Sequence, residues 1–159
     1  MIISSVEIEN FRGFHVRKKF EFKNKKFILF LAENGVGKTT VIDAIEWGLT
    51  GSVGRLKEAF ENRSSNKEEK KVNGDGILKN KEAAANEVVR VKLQIVCDNK
   101  EYSVERTQKK DDFSSKSNVV VKDLEGNTVS PSFLDDLIDS NFYNYHFCDV
   151  QKAYNIQNS

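Results

Sequence analysis

The run from Lys26 to Leu49 constrains this chain most, because it joins an apolar stretch to an amphipathic one through two glycines and a lysine. Lys26-Phe27-Ile28-Leu29-Phe30-Leu31 does not alternate, which predicts a central strand covered on both faces. Ile42, Ile45 and Leu49 recur at helical spacing, with Val41 and Ala44 widening the stripe, so Thr39 to Leu49 is expected as a buried helix stopped by Gly51. Between them lies Ala32-Glu33-Asn34-Gly35-Val36-Gly37-Lys38-Thr39-Thr40. Gly35 and Gly37 let backbone N–H groups turn inward where a Cβ would block close approach. Lys38 adds a mobile cation, Thr39 a hydroxyl suited to Mg2+, and the first amides and dipole of the helix favour an anion. These are the parts of a P-loop, with Ala32 at its first glycine position. The expected ligand is a nucleotide whose phosphates are held by Asn34, Gly35, Val36, Gly37, Lys38, Thr39 and Thr40. The competing reading is a turn whose glycines serve only the turn, and the flanking strand and helix weigh against it.

The rest of the composition narrows the setting. A chain of 159 residues allows one compact domain, and 25 Lys and Arg against 24 Asp and Glu exclude a polyanion sponge or an acidic tail protein. No apolar run approaches the roughly 18 residues of a membrane helix, and Met1 to Glu9 lacks the pattern of a secretory signal, so a cytoplasmic protein without membrane contact is expected. Cys97 and Cys148 each follow an apolar run at no ligand-like spacing and read as buried free thiols.

Along the chain, Ile2, Val6 and Ile8, then Phe20 and Phe22, predict a strand pair around a polar break at Asn10 to Gly13. Residues 1–51 thus hold strands, P-loop and helix, and 52–86 form a variable, mobile insertion in which only Leu56, Ala59 and Phe60 offer a short amphipathic turn. Residues 87–130 carry two antiparallel hairpins, one turning at Asp98-Asn99-Lys100 and one at Glu125-Gly126-Asn127. Residues 131–159 begin with a helix from Pro131 to Ile138 and continue through the apolar run Tyr143 to Phe147.

Ile8-Glu9-Asn10-Phe11-Arg12-Gly13-Phe14, the Phe-rich second strand, the P-loop and Val41-Ile42-Asp43-Ala44-Ile45 together resemble the N-terminal half of SMC, RecF and RecN type ABC ATPase heads. The resemblance extends to the coiled-coil repair ATPase that partners a break-processing nuclease, and is strongest over Met1 to Gly51. It implies an α/β P-loop NTPase fold, the N-terminal lobe of an ABC-type head, with a parallel core in a mixed sheet and an antiparallel β-subdomain. It implies ATP and Mg2+ as cofactors, Arg12 beside the nucleotide and Lys38 in catalysis. Gln151, in Phe147-Cys148-Asp149-Val150-Gln151-Lys152, stands where the family's glutamine loop would reach Mg2+ and the γ-phosphate. The family's Ser-Gly-Gly signature is missing. Neither lookalike of its acidic strand fits: Leu93 to Asp98 reads as a hairpin arm, and no Glu follows Asp149. The chain therefore reads as half a head, binding ATP better than it hydrolyses it. Its implied partners are the C-terminal half of the same head, a second copy across an ATP sandwich, DNA, and a nuclease effector, in repair, chromosome maintenance or anti-phage defence. The alternatives are a stand-alone nucleotide-binding subunit completed by another polypeptide, or a P-loop kinase or GTPase. The last is weakened by the lack of an Asn-Lys-x-Asp motif.

Other features have plainer readings. Arg12 to Lys26 holds seven basic residues against Glu21, a stretch able to follow DNA but better read as an edge strand guarded by lysine. Trp47 reads as packing, Glu105-Arg106 first as strand-surface charge with Arg106 able to approach the nucleotide side, and His15 and His146 lack partners at metal spacing.

Overall fold

The computed structural model describes residues 1–23, 25, 27–31, 33, 35–54, 56, 78–109 and 117–138. Strand β1 (Ile2–Glu9) pairs antiparallel with β2 (Lys18–Glu21) on one side and β3 (Val89–Cys97) on the other. From β3 the sheet continues through β4 (Lys100–Gln108), β5 (Asn118–Asp123) and β6 (Thr128–Val129), in the order β2-β1-β3-β4-β5-β6. The short β3–β4 turn places Asp98 and Asn99 at φ 49° and 61°, the left-handed pair that a two-residue hairpin loop requires. At the β5–β6 turn Asn127 donates to the Asp123 carboxylate and holds its pKa below the ordinary value.

Among the described residues two helices accompany the sheet. Helix α1 (Lys38–Thr50) ends at Gly51, whose φ of 77° lets its N–H return to the Trp47 carbonyl. Helix α2 (Ser132–Leu137) follows Pro131 and buries Leu134.

Alternation sorts the two faces of the sheet. Val89, Val91, Leu93 and Ile95 of β3, with Val6, Ile8, Val104 and Val121, form the buried side. Against it α1 sets Val41, Ala44, Ile45, Trp47 and Leu49. A fully buried side chain of this size contributes about 1.5–3 kcal/mol, so this interface is a major source of the fold's cohesion. The opposite face is a ladder of alternating charge, in which Lys19 pairs in register with Glu7, Glu7 with Lys92, and Lys92 with Glu105. Arg90 adds ion pairs to Glu9 at 3.5 Å and Glu105 at 3.7 Å. The basic stretch after Arg12 is partly neutralised in the same way, Arg17 by Glu7 and Lys19 by Glu21, which agrees with the guarded-edge reading.

Two expectations about this core need correction. Residues 27–31 form no strand, and Phe27, Leu29 and Leu31 are 80%, 64% and 83% exposed. An apolar run declares that it is to be buried, but a strand also needs neighbours for its N–H and C=O groups, and all pairings among the described residues are antiparallel and lie elsewhere. The expected parallel core is therefore not formed among the described residues. Phe30 alone turns inward, stacking edge-on with Phe20 and Phe22. Ile42, placed on the buried stripe by its spacing, is 41% exposed. With the sheet on one side only, the arc of α1 that carries Thr39 and Ile42 faces outward.

Candidate functional site

The glycine-rich loop enters α1 through two left-handed residues, Gly35 at φ 88° and Gly37 at φ 96°. Gly37 is the N-cap, and a Cβ there would lie 3.0 Å from the Phe14 ring, so close packing and backbone sign both call for glycine. Phe14 in turn stacks on Phe20, which ties the floor of the loop to β2. No side chain caps the start of α1 and its first turn carries no acid, which leaves the dipole at the helix end favourable to an anion. Lys38 Nζ reaches back over the loop to the Glu33 carbonyl at 2.8 Å. Thr39 is exposed at the first turn and Thr40 is buried beneath it. These features fit a bound triphosphate: glycines free the approach, a cation spans the loop, and Thr39 presents a hydroxyl for Mg2+. Among the described residues no group of three or more His, Cys, Asp or Glu is placed to hold a metal ion.

Beside α1 lies the Asn10-Phe11-Arg12-Gly13-Phe14 turn. Phe11 and Phe14 exchange backbone hydrogen bonds of 2.9 Å, closing the turn. Phe11 is buried against Trp47 with ring centroids 5.6 Å apart, which confirms Trp47 as packing. Arg12 points the other way. Its Nε lies 3.4 Å from Oδ2 of Asp43, a buried carboxylate on α1 one and a half turns beyond Lys38. Gly13 lies against Thr40, and a cleft of about 390 Å3 opens here, lined by Arg12, His15, Thr40, Lys79, Asn80 and Lys81 among others.

Lys79, Asn80 and Lys81 went unnoticed as site residues because a polar run reads as solvated loop. The structure fastens Lys79 and Asn80 and leaves Lys81 exposed at the rim. Lys79 Nζ donates to the carbonyls of Ala84 at 2.6 Å and Glu87 at 2.7 Å, and Asn80 binds the Arg12 carbonyl. His15 faces Glu82 at 3.3 Å and Glu87 at 4.0 Å. The sequence signal that would have drawn attention is an Asn two residues past the fully buried Leu78, inside an otherwise charged stretch.

The structure thus brings Gly35, Val36, Gly37, Lys38, Thr39 and Thr40 to the start of α1, with Arg12 alongside through Asp43 and Gly13. Asn34 and Gln151 lie outside the described residues, as do Ala59, Phe60, Tyr143 to Phe147 and Cys148. Cys97 is buried and free. Arg106 contradicts its reading as surface charge. It is 8% exposed on the core side of β4 and binds the carbonyls of Gly48 and Leu49, at the end of α1 away from the P-loop.

No helix among the described residues is long and apolar enough to cross a membrane. Compared with known families, residues 5–157 match the AAA domain. No curated protein matches the chain. Among the solved structures it resembles is the SMC head domain from Thermotoga maritima, at 15% identity and a TM-score of 0.48, covering 87% of this chain and 43% of that one. The chain therefore spans less than half the length of that head domain. With a family match over nearly its whole length and a glycine-rich loop of P-loop form at the start of α1, the chain belongs to the AAA domain family.

Proposed function

We propose that this chain is the ATP-binding lobe of an SMC/RecF-like head, spanning residues 1–159 as one unit, and that it holds Mg-ATP without turning it over efficiently. The observation that carries this reading is the uncapped, acid-free start of α1 behind two left-handed glycines, with Lys38 across the loop. Amides of Gly35 to Thr40 would cradle the phosphates, Thr39 would ligate Mg2+, and Arg12 would add charge from the neighbouring turn. Bound Mg2+ would neutralise charge between the β- and γ-phosphates. Phosphoryl transfer to water also requires a group that positions the nucleophile. By the resemblance, Gln151 and the acidic strand and signature of a C-terminal half fill these roles, with hydrolysis in a two-headed ATP sandwich. The exposed Phe27, Leu29 and Leu31 support a further half, since they offer an apolar segment that pairs with no strand among the described residues. Action on DNA, a nuclease effector, coiled coils and a cytoplasmic setting rest on the resemblance.

The test is calorimetric titration of Mg-ATP into the chain and into Lys38→Ala, with phosphate release recorded alongside. Binding weakened by about tenfold or more in Lys38→Ala, with negligible release from either protein, is the expected result. Equal heats from two equally folded proteins would remove Lys38 as an affinity determinant and the reading with it. Sustained release by the chain alone would favour a kinase or GTPase-like enzyme instead.

A further inference from the structure

Arg12 has φ 49°, a left-handed backbone that a long side chain adopts only when its surroundings impose it. The local Phe11–Phe14 hydrogen bonds close the turn, and one distant segment braces it. The Arg12 N–H donates to the Leu78 carbonyl at 2.7 Å, and the Asn80 N–H donates to the Asn10 carbonyl at 2.9 Å. Phe11 bridges to Lys79 between them. The Arg12 carbonyl accepts from Asn80 Nδ2. The peptide groups on both sides of Arg12 are therefore tied to residues 78–80. That segment is itself anchored: Leu78 is fully buried, Lys79 Nζ donates to the Ala84 and Glu87 carbonyls, and Asn80 Oδ1 accepts from the Glu82 N–H at 2.9 Å.

We propose that Asn80 is a positioning residue for nucleotide binding, holding Arg12 in the left-handed turn that aims its guanidinium across α1 at Asp43 and the cleft beside Thr40. The proposal rests on the assignment of Arg12 to the nucleotide site. Asn80 suits the task because its amide works from both ends, the oxygen fixing its own loop and the nitrogen fixing Arg12. Without that donor the peptide after Arg12 would lose its tie to residues 78–80, and the guanidinium would be held less closely in the direction of Asp43.

The experiment is a double-mutant cycle on the 159-residue chain, reading Mg-ATP affinity by calorimetry and stability by urea denaturation. Its variants are Asn80→Ala, Arg12→Gln and the pair. Arg12→Gln removes the charge yet leaves an amide donor for Asp43, so the fold is retained. Arg12→Gln should weaken binding about tenfold, and Asn80→Ala about three- to tenfold. In the Arg12→Gln background Asn80→Ala should have no further effect on affinity, while its effect on stability persists. A structural role alone would lower the urea midpoint in both backgrounds and leave affinity untouched, which overturns the proposal. Direct contact of Asn80 with nucleotide would leave its affinity effect intact in the Arg12→Gln background, which also overturns it. If Arg12→Gln binds like the parent while Lys38→Ala does not, the proposal falls and the nucleotide reading stands. If Lys38→Ala binds like the parent too, both fall.

Discussion

A single buried charge shows how far side-chain identity and strand position diverge. Arg106 has the parity of Val104 and Gln108, the core-facing side of β4. Its guanidinium donates from Nε to Gly48 O at 3.0 Å, from Nη2 to Leu49 O at 3.0 Å and from Nη1 to Ser117 Oγ at 2.8 Å. Two of these acceptors are carbonyls at the C-terminal end of α1, where the helix dipole is negative and the last C=O groups lack helical donors. Burial pulls the Arg106 pKa down to about 10, opposed by the charge of Asp135, and the group is still cationic at neutral pH. Arg106→Ala would strand two buried carbonyls and is expected to cost about 2–4 kcal/mol in urea denaturation. Arg106→Lys should recover only part, because one ammonium lacks the fork that spans successive carbonyls. Roughly 16 Å of helix separates this end from Lys38, so the affinity of the Lys variant for Mg-ATP should match the parent's. Alternation places residue 106 inward, and only the neighbouring helix end explains why an arginine is tolerated there.

The α1–β3 contact is the element on which the site depends, since α1 carries the P-loop at its start. Gly48 lets the two approach: a Cβ there would lie 3.0 Å from Leu93 Cδ1 and 3.0 Å from Val91 Cγ1. Alanine would gain about 1 kcal/mol in helix propensity. Overpacking would cost about 1–3 kcal/mol, since Val91 is branched at Cβ and cannot swing clear. The balance predicts a net loss of about 1 kcal/mol for Gly48→Ala and a larger loss for Gly48→Val. A lower urea midpoint at unchanged slope would show it, and a stabilised Gly48→Ala would mean that the helix lifts from the sheet at no cost. The hairpins were legible at this scale because alternation and turn residues are local signals, as Asp98 and Asn99 show. The exposure of Ile42 was not, since helical spacing defines a stripe without saying how many sides of the helix are covered.

At the scale of the molecule, Phe27, Leu29 and Leu31 leave an apolar segment next to the P-loop open to solvent. Such a segment favours self-association in the isolated chain. Leu29→Lys combined with Leu31→Lys should lower light scattering and sedimentation-detected oligomers while shifting stability by no more than about 0.5 kcal/mol, as surface substitutions do. A large loss of stability would instead show that this segment belongs to the chain's own core. The same pair should block association with a C-terminal half supplied separately.

The sequence by itself determined what depends on neighbours along the chain: the P-loop from Gly35 to Thr40, the stop at Gly51, the two hairpins, and a strand pair around the Asn-Phe-Arg turn. Each is written in a turn residue or a short period, so a few consecutive positions suffice. Only the tertiary structure decided that Asn80 secures Arg12, that Arg106 closes the end of α1, and that the apolar run before the P-loop finds no strand partner among the described residues. Those outcomes are contacts between residues far apart in the chain. Polarity states whether a group must be satisfied, and the fold alone settles which group satisfies it.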